Sequence, residues 1–339
     1  MSICKMYYPI AFEKDVLQKP MSVKLMKKDY VLWHSAKKGV VCMPNRCPHR
    51  GAKLSDGRVV AGARLECPYH GWQFNQAGGC MKIPQLNAAT KIPMACDIQP
   101  VSTHIRDGIV WISENNGLFQ NNTAKYARDP KHFVSDYYLE APYNYYLQIE
   151  NLLDPAHLHF IHDGFQGNRD QASEITLKDF RETEYEIYGY FEHVNDETPD
   201  IAIQFIKPFV VDVSIYDKKT KTLMRKNIIY TSPIGAQSCN VLFRDVAFKE
   251  TILPKDDGFL RFHSRLLLNR PFVEEHYQFI NQQIIKGIMD QDIEILKRQQ
   301  ENIDDYRNAK YVMPAVCDRL IIAFRNWVIK GSGMADGHA

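Results

Sequence analysis

The sequence predicts an α+β protein in which an all-β domain is followed by a domain with an antiparallel sheet and a long helix. Residues 1–46 show short strand patterns separated by Lys/Gly turns. Residues 185–268 contain six segments in which apolar and polar side chains alternate, as in a sheet with one covered face. Residues 272–303 have the apolar periodicity of one long helix. At 339 residues, the chain is long enough for about two domains.

The bulk composition is that of a globular protein, with 45% hydrophobic and 24% charged residues. A net charge of +2 gives no indication of nucleic acid as a partner. No apolar run approaches the roughly 20 residues that cross a bilayer, and the N-terminus lacks the apolar core of a secretion signal. Eight cysteines in a chain of this length do not form a disulfide framework. We therefore expect a cytoplasmic protein with no membrane partner.

The predicted elements suggest where one domain ends and the next begins. A last strand of the first domain is expected over 108–112, and a polar run follows at 114–123. The end of the chain is rich in glycine and small residues. We therefore predict four regions, namely a first domain at 1–115, a linker at 116–123, a second domain at 124–330 and a loose tail at 331–339.

Two short segments in the first domain have the composition of a metal site. Cys47 and His49 lie on one segment, Cys67 and His70 lie on the other, and a glycine follows each histidine closely. Four such side chains could hold zinc, but zinc modules usually pair like ligands within a segment. One cysteine and one histidine on each loop suit a Rieske [2Fe–2S] cluster better, because two thiolates hold one iron and two imidazoles the other.

The two motifs, Cys47-Pro-His-Arg-Gly and Cys67-Pro-Tyr-His-Gly-Trp-Gln-Phe, resemble the Rieske domain of Rieske non-haem iron oxygenases. The resemblance extends over residues 7–115. It implies that Cys47 and Cys67 bind one iron of a [2Fe–2S] cluster and that His49 and His70 bind the other. Imidazole in place of two thiolates raises the reduction potential of such a cluster.

A second candidate site lies in the apolar stretch Glu150–His162, which contains one aspartate and three histidines. Polar groups in an apolar setting need a partner, and His157 and His162 could be two ligands of a 2-His-1-carboxylate iron site. These histidines could instead be hydrogen-bonded within a core. A step of five residues turns about 140° around a helix. The two histidines therefore converge only if the helix bends or ends, and Gly164 is a candidate stop.

The same family carries the motif N-x-x-D-x-x-H-x(4)-H, which this chain matches at Asn151, Asp154, His157 and His162. The resemblance implies that His157 and His162 bind the mononuclear iron, and that Asn151 and Asp154 belong to the catalytic apparatus. Asp154 would connect an iron-ligating histidine with His70 of a neighbouring subunit. Carboxylates in such positions fix the tautomer of a ligand histidine.

Two residues of this stretch have other interpretations. Asp154 followed by Pro155 is also a good helix N-cap with proline at the first helical position. His159 lies between the two expected ligands and should point elsewhere if the segment is helical. We therefore do not expect His159 to bind the metal.

The third iron ligand is predicted to be Asp292. On a helical wheel this carboxylate lies in the middle of an apolar stripe, whereas Asp290 and Glu294 lie on the opposite side. An ionised carboxylate that faces a core needs a partner such as a metal ion. The family motif D-x-x-I selects the same residue. The stripe within roughly 80° of it comprises Ile284, Ile285, Ile288, Met289, Ile295 and Leu296.

The resemblance also implies the architecture of the second domain. In this family the antiparallel sheet closes over a long helix, in a helix-grip arrangement with a pocket between sheet and helix. Phe205, Phe209 and Phe243 would then line the pocket, although each of them could simply be part of the core.

The resemblance implies a terminal oxygenase that receives electrons through the Rieske cluster and activates O2 at mononuclear Fe(II). The expected reaction is monooxygenation of a small organic substrate, by hydroxylation or oxidative demethylation. No G-x-G-x-x-G follows a strand, so NAD(P)H should act indirectly through a separate reductase, with or without a ferredoxin. The family also implies a homotrimer, in which the cluster of one subunit serves the iron of the next.

Three alternatives remain at this point. A Rieske electron carrier or redox sensor would not need residues 120–339. A cis-dihydroxylating dioxygenase would use the same metal centres but is usually longer. Pheophorbide-oxygenase-like proteins of plastids carry a C-x-x-C and membrane anchors, whereas Cys239 and Cys317 stand alone here. We therefore expect a closer resemblance to short bacterial oxygenases.

Overall fold

The structure of the protein is a computed structural model, which describes most of the chain. The described residues are 6–61, 63–117, 119, 129, 131–165, 167–195, 198–252, 271–303, 306 and 308–330. Most of the predicted linker lies outside the described residues, as do the predicted strand at 259–268 and the tail at 331–339. The predicted domain limits therefore stay a prediction.

The N-terminal part contains three small antiparallel sheets, with strand orders β1-β10-β9, β2-β3-β4 and β5-β6-β7-β8. The expectation of an all-β first domain is confirmed, because one four-residue helical turn, α1 (Glu13–Val16), is the only α-helix among the described residues before Ser113. The strands are β1 Tyr8–Phe12, β2 Met21–Leu25, β3 Lys28–Ser35, β4 Gly39–Pro44, β5 Arg58–Val60, β6 Arg64–Glu66, β7 Gln73–Phe74, β8 Cys80–Lys82, β9 Ser102–Arg106 and β10 Ile109–Ser113.

Strand β3 separates two cores, because successive side chains of a strand point to opposite faces. Tyr30 and Leu32 pack into the large core that the two halves of the chain share. Val31 and Trp33 pack into a smaller core that also contains the sulfur-bearing side chains of Cys47 and Cys67. This smaller core therefore forms the floor beneath the two Cys/His segments.

The C-terminal part is built on one antiparallel sheet of seven strands, in the order β11-β17-β16-β15-β14-β13-β12. The last six strands of the sequence follow one another as a meander, and β11 pairs with β17 at the edge. The strands are β11 His132–Ala141, β12 Ile175–Glu182, β13 Glu186–His193, β14 Asp200–Ile206, β15 Val210–Tyr216, β16 Leu223–Gly235 and β17 Ser238–Phe248.

Five helices accompany this sheet in the described part of the chain: α2 Tyr145–Leu153, α3 Leu158–Ile161, α4 Lys249–Ile252, α5 Pro271–Glu301 and α6 Arg319–Ile329. The long helix α5 packs against the sheet, with closest contact to β11, so the helix-grip prediction is confirmed. The apolar stripe of α5 is narrower than predicted, since Ile284 and Ile295 are 39% and 45% exposed. Every helix in the described residues is too short or too polar to cross a lipid bilayer.

The N-terminal sheets pack directly on the seven-stranded sheet. The backbone amides of Met26 and Lys27 donate to the carbonyl oxygens of Pro233 and Ile234, at 3.0 and 2.6 Å. The Ser232 hydroxyl donates to the Pro9 carbonyl at 2.8 Å. These bonds attach the β2–β3 turn and β1 to the end of β16.

A buried ion pair reinforces this junction. The Arg244 guanidinium on β17 donates from Nε to Asp136 Oδ1 at 2.7 Å and from Nη2 to Oδ2 at 3.2 Å. Its Nη1 reaches across to the carbonyl oxygen of Asp107 in the β9–β10 turn. Lys14 also lies 3.1 Å from the Asp136 carboxylate.

A second buried polar cluster holds helix α2 in place. Glu150 lies 2.9 Å from Nη1 of Arg325 on α6 and accepts a hydrogen bond from Tyr306. Burial raises the pKa of Glu150, although both hydrogen bonds oppose that rise. The Glu150–Arg325 contact fixes α2 to α6 immediately before the segment with the candidate iron ligands. Arg325 also donates to the Ala309 carbonyl at 2.6 Å.

Candidate metal centres

The two Cys/His segments fold in the same way. The amide of Cys47 donates to the Ala52 carbonyl at 2.9 Å, and the amide of Cys67 donates to the Trp72 carbonyl at 2.8 Å. Within each loop the glycine four residues after the cysteine donates back to the cysteine carbonyl, at 2.9 Å from Gly51 and at 3.1 Å from Gly71. Both glycines have positive φ, of 75° and 70°, a conformation that other residues rarely adopt.

The four predicted cluster ligands lie at the tips of these paired loops. Cys47 and Cys67 are buried, with 2% and 3% exposure, whereas His49 is exposed and His70 half-buried. The two imidazole rings meet edge-on with their centroids 4.6 Å apart. The Trp72 ring stacks on His49 at 4.7 Å, so it packs over the first loop.

The donor set fits a cluster with two buried thiolates and two outward imidazoles. Burial raises the pKa of the Cys47 thiol to about 12, although backbone amides of His49 and Arg50 donate towards its sulfur. A buried thiol of this kind becomes a thiolate only when a cation compensates its charge. Amide N–H groups directed at the sulfur are also a means by which proteins tune cluster potential.

The segment with the candidate iron ligands is broken rather than continuously helical. Helix α2 ends at Leu153, Asp154 follows in an extended conformation with φ −100° and ψ 105°, and α3 begins only at Leu158. The N-cap interpretation of Asp154 is therefore wrong, since Asp154 is the C-cap of α2. Its side chain instead accepts from the Ala156 amide at 2.8 Å. Helix α3 ends at Ile161, and His162 is its C-cap with φ −99° and ψ 30°. The helix therefore ends between the two histidines, as their five-residue step requires.

His157 and His162 stand at the two ends of α3, and Asp292 faces them from α5. Their ligand atoms all lie within 4.8 Å of one another, and they are the one group of this kind among the residues that the structure describes. The two imidazole rings are 5.2 Å apart, and His162 Nε2 lies 3.3 Å from Asp292 Oδ1. His162 and Asp292 are 1% and 2% exposed.

The hydrogen bonds around these residues direct the second nitrogen of each ring towards the centre. His157 Nδ1 lies 2.6 Å from the Asp154 carbonyl oxygen, and His162 Nδ1 lies 3.0 Å from Gln291 Oε1. Nδ1–H donation leaves both Nε2 lone pairs for a metal ion. Asp292 Oδ1 has no hydrogen-bond partner among the described residues. The arrangement therefore fits a 2-His-1-carboxylate ion site.

The charge balance of the centre also favours a cation. Burial lowers the pKa of His162, because it disfavours the charged ring. The Asp292 carboxylate beside Nε2 has the opposite and larger effect, so the pKa of His162 is raised overall. A proton on His162 and a divalent ion are two ways of compensating the same buried carboxylate.

Asp154 and Asn151 adjoin the centre without joining it. The Asp154 carboxylate lies 4.0 Å from His157 Nδ1. The backbone carbonyl oxygen of Asp154 is closer to that nitrogen, at 2.6 Å. Burial raises the pKa of Asp154, and the nearby His157 opposes this rise. Asn151 is buried and lines the same cavity as the candidate ligands.

The other residues discussed as possible ligands lie outside the three-residue group. Asp290 and Glu294 are exposed and form ion pairs along α5 with Lys286 and Arg298. His159 is buried, but its Nδ1 faces the Asn168 carbonyl at 3.0 Å. It is not part of the three-residue group.

A cavity of about 600 Å³ opens beside the three candidate ligands, between the sheet and α5. Its wall is mostly apolar and includes Phe243, whereas Phe205 and Phe209 are buried in the core away from it. The ion pair of Arg225 and Asp245 borders the cavity, and Asn281 accepts from Arg225 Nη2 at 2.6 Å. The apolar and polar wall residues together include Ile201, Ile203, Val213, Ile215, Ile229, Phe243, Ala247, His193, Thr198, Arg225, Asn227 and Tyr277.

Several polar residues of the site were not predicted. Gln291, His193 and Asn227 were passed over because their neighbours in the sequence carry stronger signals. His193 does occupy the inward phase of β13, after Ile187 and Phe191. A polar side chain in the buried phase of a strand is an unusual feature that would have identified it.

Comparison with known protein families agrees with the geometry. The family model of the Rieske [2Fe-2S] domain matches residues 6–96. The family model described as the vanillate O-demethylase oxygenase C-terminal domain matches residues 141–330, which is more than half of the chain.

Curated relatives are plant and algal proteins. The chain is 27% identical over 339 residues to the chloroplastic protein TIC 55 of Pisum sativum, with 97% of this chain and 58% of that protein covered. It is 31% identical over 217 residues to the chloroplastic pheophorbide a oxygenase of Oryza sativa subsp. japonica, with 60% and 40% covered. The chain thus spans well under two thirds of the length of these relatives.

The fold is shared with proteins of known structure. NdmA of Pseudomonas putida CBB5, solved with caffeine, superposes with a TM-score of 0.73 at 20% identity and with 96% of this chain and 90% of that chain covered. Dicamba monooxygenase bound to dicamba superposes with a TM-score of 0.71 at 19% identity and with 98% of each chain covered. At this level of identity the likeness shows the fold.

The prediction of a cytoplasmic protein is wrong, because the curated relatives are chloroplast proteins and point to the chloroplast instead. The expected closer resemblance to bacterial oxygenases likewise fails for the sequence comparison. The prediction depended on a missing apolar signal core, but transit peptides are amphipathic and have no such core. The folded domains themselves carry no physical record of a compartment.

The two family matches, the shared fold and the two sets of candidate ligands concern the same parts of the chain. They account for both predicted cofactors, the [2Fe–2S] cluster and the mononuclear iron. The chain therefore belongs to the Rieske non-haem iron oxygenases.

Proposed function

We propose that the protein is a terminal oxygenase that monooxygenates a small organic substrate, by hydroxylation or by oxidative demethylation. The observation that carries the proposal is a group of two histidines and one carboxylate, with ligand atoms within 4.8 Å of one another, at the wall of a mostly apolar cavity. A ligand set of this type leaves open positions on the ion for O2.

The roles of the individual residues follow from their positions. We assign His157, His162 and Asp292 as the iron ligands, and Cys47 with Cys67 and His49 with His70 as the cluster ligands. When bound, the cluster would supply single electrons and the iron would supply O2 activation. The apolar wall would exclude water and hold the substrate beside the ligands, which limits side reactions.

The substrate is proposed to be a ring compound with an apolar body and a small number of polar groups. A cavity of about 600 Å³ is within the range that binds drug-sized molecules. Relatives are named for pheophorbide a, chlorophyllide a and flavonoids, and the structural neighbours were solved with caffeine, theobromine and dicamba. Wall residues Asn227 and Thr198 would provide hydrogen bonds to such a molecule.

Electrons are proposed to come from NAD(P)H through a separate reductase, with or without a ferredoxin. We further propose a homotrimer in which the Asp154 carboxylate connects the iron centre with His70 of a neighbouring copy. The Asp154 side chain is 29% exposed and His70 is half-buried, so both side chains retain surface for such a contact. Asn151 would support Asp154 from the preceding turn, where its carbonyl accepts the Asp154 amide at 3.3 Å.

The proposal is tested by turnover of the protein with a reductase, NADH and 18O2, using pheophorbide a, a flavone, caffeine and dicamba as probe substrates. A hydroxylated product with one labelled oxygen supports it. A demethylated product formed together with one equivalent of formaldehyde also supports it, because the inserted oxygen leaves with the methyl carbon. Two labelled oxygens in one product would indicate cis-dihydroxylation instead. NADH oxidation without any product from the whole panel, at full iron occupancy, would argue for electron transfer as the function.

The matched control is His157→Ala. We expect this variant to form no product and to retain the Rieske absorption spectrum, because the cluster loops belong to a separate core. Product formation at the wild-type rate would exclude His157 as an iron ligand.

A further inference from the structure

Two consecutive residues of α5 contact the two nitrogens of one imidazole. Gln291 Oε1 lies 3.0 Å from His162 Nδ1, and Asp292 Oδ1 lies 3.3 Å from His162 Nε2. His162 belongs to the end of α3, far from α5 in the sequence. The long helix therefore holds this ring from both sides.

The chemistry of the contact determines the state of the ring. An amide oxygen only accepts hydrogen bonds, so the nitrogen that faces it carries the hydrogen. A neutral imidazole with hydrogen on Nδ1 has its lone pair on Nε2. That lone pair then points to the space between His162, His157 and Asp292.

The second candidate histidine ligand obtains the same hydrogen bond from a different source. His157 Nδ1 faces the backbone carbonyl oxygen of Asp154 at 2.6 Å, an acceptor that no side-chain substitution removes. At His162 the acceptor is a side chain. Orientation of the second ligand therefore depends on the residue at position 291.

We propose that Gln291 is a positioning residue for the mononuclear iron, which fixes the Nδ1–H tautomer of His162 and directs its Nε2 at the ion. This inference rests on the iron site of the proposed function. Partners of this kind typically contribute about 10- to 100-fold to metal affinity. Gln291 would thus couple the position of α3 to that of α5 whenever the ion is bound.

The test is an anaerobic titration with Fe2+ of protein whose mononuclear site has been emptied by chelation and whose Rieske cluster is intact. Gln291→Leu removes the acceptor, Gln291→Glu keeps an acceptor oxygen, and Gln283→Leu makes the same change at an exposed position of α5. We expect Gln291→Leu to raise the Fe2+ Kd about 10- to 100-fold. Gln291→Glu and Gln283→Leu should stay within about threefold of wild type.

Co2+ titration gives a second measurement that a merely structural role would not change. The visible spectrum of bound Co2+ depends on the number and geometry of its ligands. We expect Gln291→Leu to alter that spectrum, and Gln291→Glu to reproduce the wild-type spectrum. The Rieske absorption and far-UV circular dichroism of each variant report whether it has folded. If Gln291→Leu has not folded, the Fe2+ affinity and Co2+ spectrum of Gln291→Glu decide whether Gln291 is a positioning residue.

The outcomes separate this inference from the proposed function. If wild type binds Fe2+ and Gln291→Leu binds it equally well, the positioning role is refuted and the iron site stands. If Gln291→Glu binds as weakly as Gln291→Leu, the acceptor is not the cause and the inference also fails. If wild-type protein itself binds no Fe2+ at this site, the proposed function fails first.

Discussion

His162 and Asp292 face each other in the interior, with 3.3 Å between Nε2 and Oδ1 and with side chains only 2% and 3% exposed. The Asp292 oxygen nevertheless has no hydrogen-bond partner among the described residues. A buried carboxylate without a partner is costly. A cation bound between the two residues would remove that cost, and this relationship determines what each substitution nearby should do.

Substitution Asp292→Ala should remove the mononuclear iron and lower product formation by at least about 100-fold, since even indirect ligand partners contribute 10- to 100-fold. Iron content and product formation measure the effect, and the Rieske spectrum should not change. Asp290→Ala is the control, because Asp290 is exposed and pairs with Lys286 at 2.9 Å. Equal iron loss in both variants would mean that α5 is perturbed in general and that Asp292 is not a ligand.

Substitution Asp154→Asn should leave iron content unchanged and slow turnover by about 10- to 100-fold. The backbone carbonyl that accepts from His157 remains, and an Asn oxygen can still accept from the Ala156 amide. Only the negative charge that would connect the two metal centres is lost. Stopped-flow reoxidation of the reduced Rieske cluster measures the rate. Iron loss as large as in His157→Ala would show that Asp154 holds the site together.

The residues of the two metal centres were easier to predict from the sequence than the rest of the molecule, for a physical reason. Histidine and buried aspartate are costly in apolar surroundings, so His157 and Asp292 stand out against their neighbours. Cys47 stands out because it shares a short motif with His49 that a second segment repeats. The two motifs predicted two loops with one cysteine and one histidine each, whereas the matching hydrogen bonds of the loops are seen only in the structure. The helical wheel also selected Ile284 and Ile295, which are exposed, because a wheel shows direction and does not show how wide a surface the neighbouring sheet covers.

Features that depend on contacts between elements were not predicted. None of the eight residues of β12 is buried, so burial does not alternate along this strand. Its pairing with β13 makes the segment a strand. The role of Gln291 arises from a contact with a residue on another helix. The helical turn α4 lies within residues 185–268, for which only alternating strand segments were predicted, since β-branched composition alone does not determine where a strand ends.

Substitution Arg244→Met should lower the free energy of unfolding by about 3–5 kcal/mol, because it leaves the buried Asp136 carboxylate without its main partner. Urea denaturation followed by circular dichroism measures it. In the double variant with Asp136→Leu, much of the loss should be recovered, since no unpaired charge remains. Arg58→Met is the control at an exposed pair with Glu66, where a change below about 1 kcal/mol is expected. Similar losses at both sites would contradict a special role for burial.

His193 should make the stability of the protein sensitive to acid. Burial, with the neighbouring His159 and Lys218, lowers the pKa of His193 to about 4, and neither ring nitrogen has a hydrogen-bond partner among the described residues. The unfolded chain takes up a proton near pH 6.5 and the folded chain does not, so this contribution is complete above pH 6.5 and is lost as the pH falls towards 4. The loss should amount to about 3 kcal/mol.

The variant His193→Phe isolates this contribution, because it has no titrating ring at this position. At pH 7 its unfolding free energy should be similar to or higher than that of wild type, since a buried group without hydrogen bonds is replaced by an apolar ring of similar shape. The difference between variant and wild type should then grow as the pH is lowered from 6.5 to 4. Denaturation midpoints at several pH values measure it. Parallel pH curves for the two proteins would show that His193 binds its proton equally well in the folded state, through a partner that stabilises its charge.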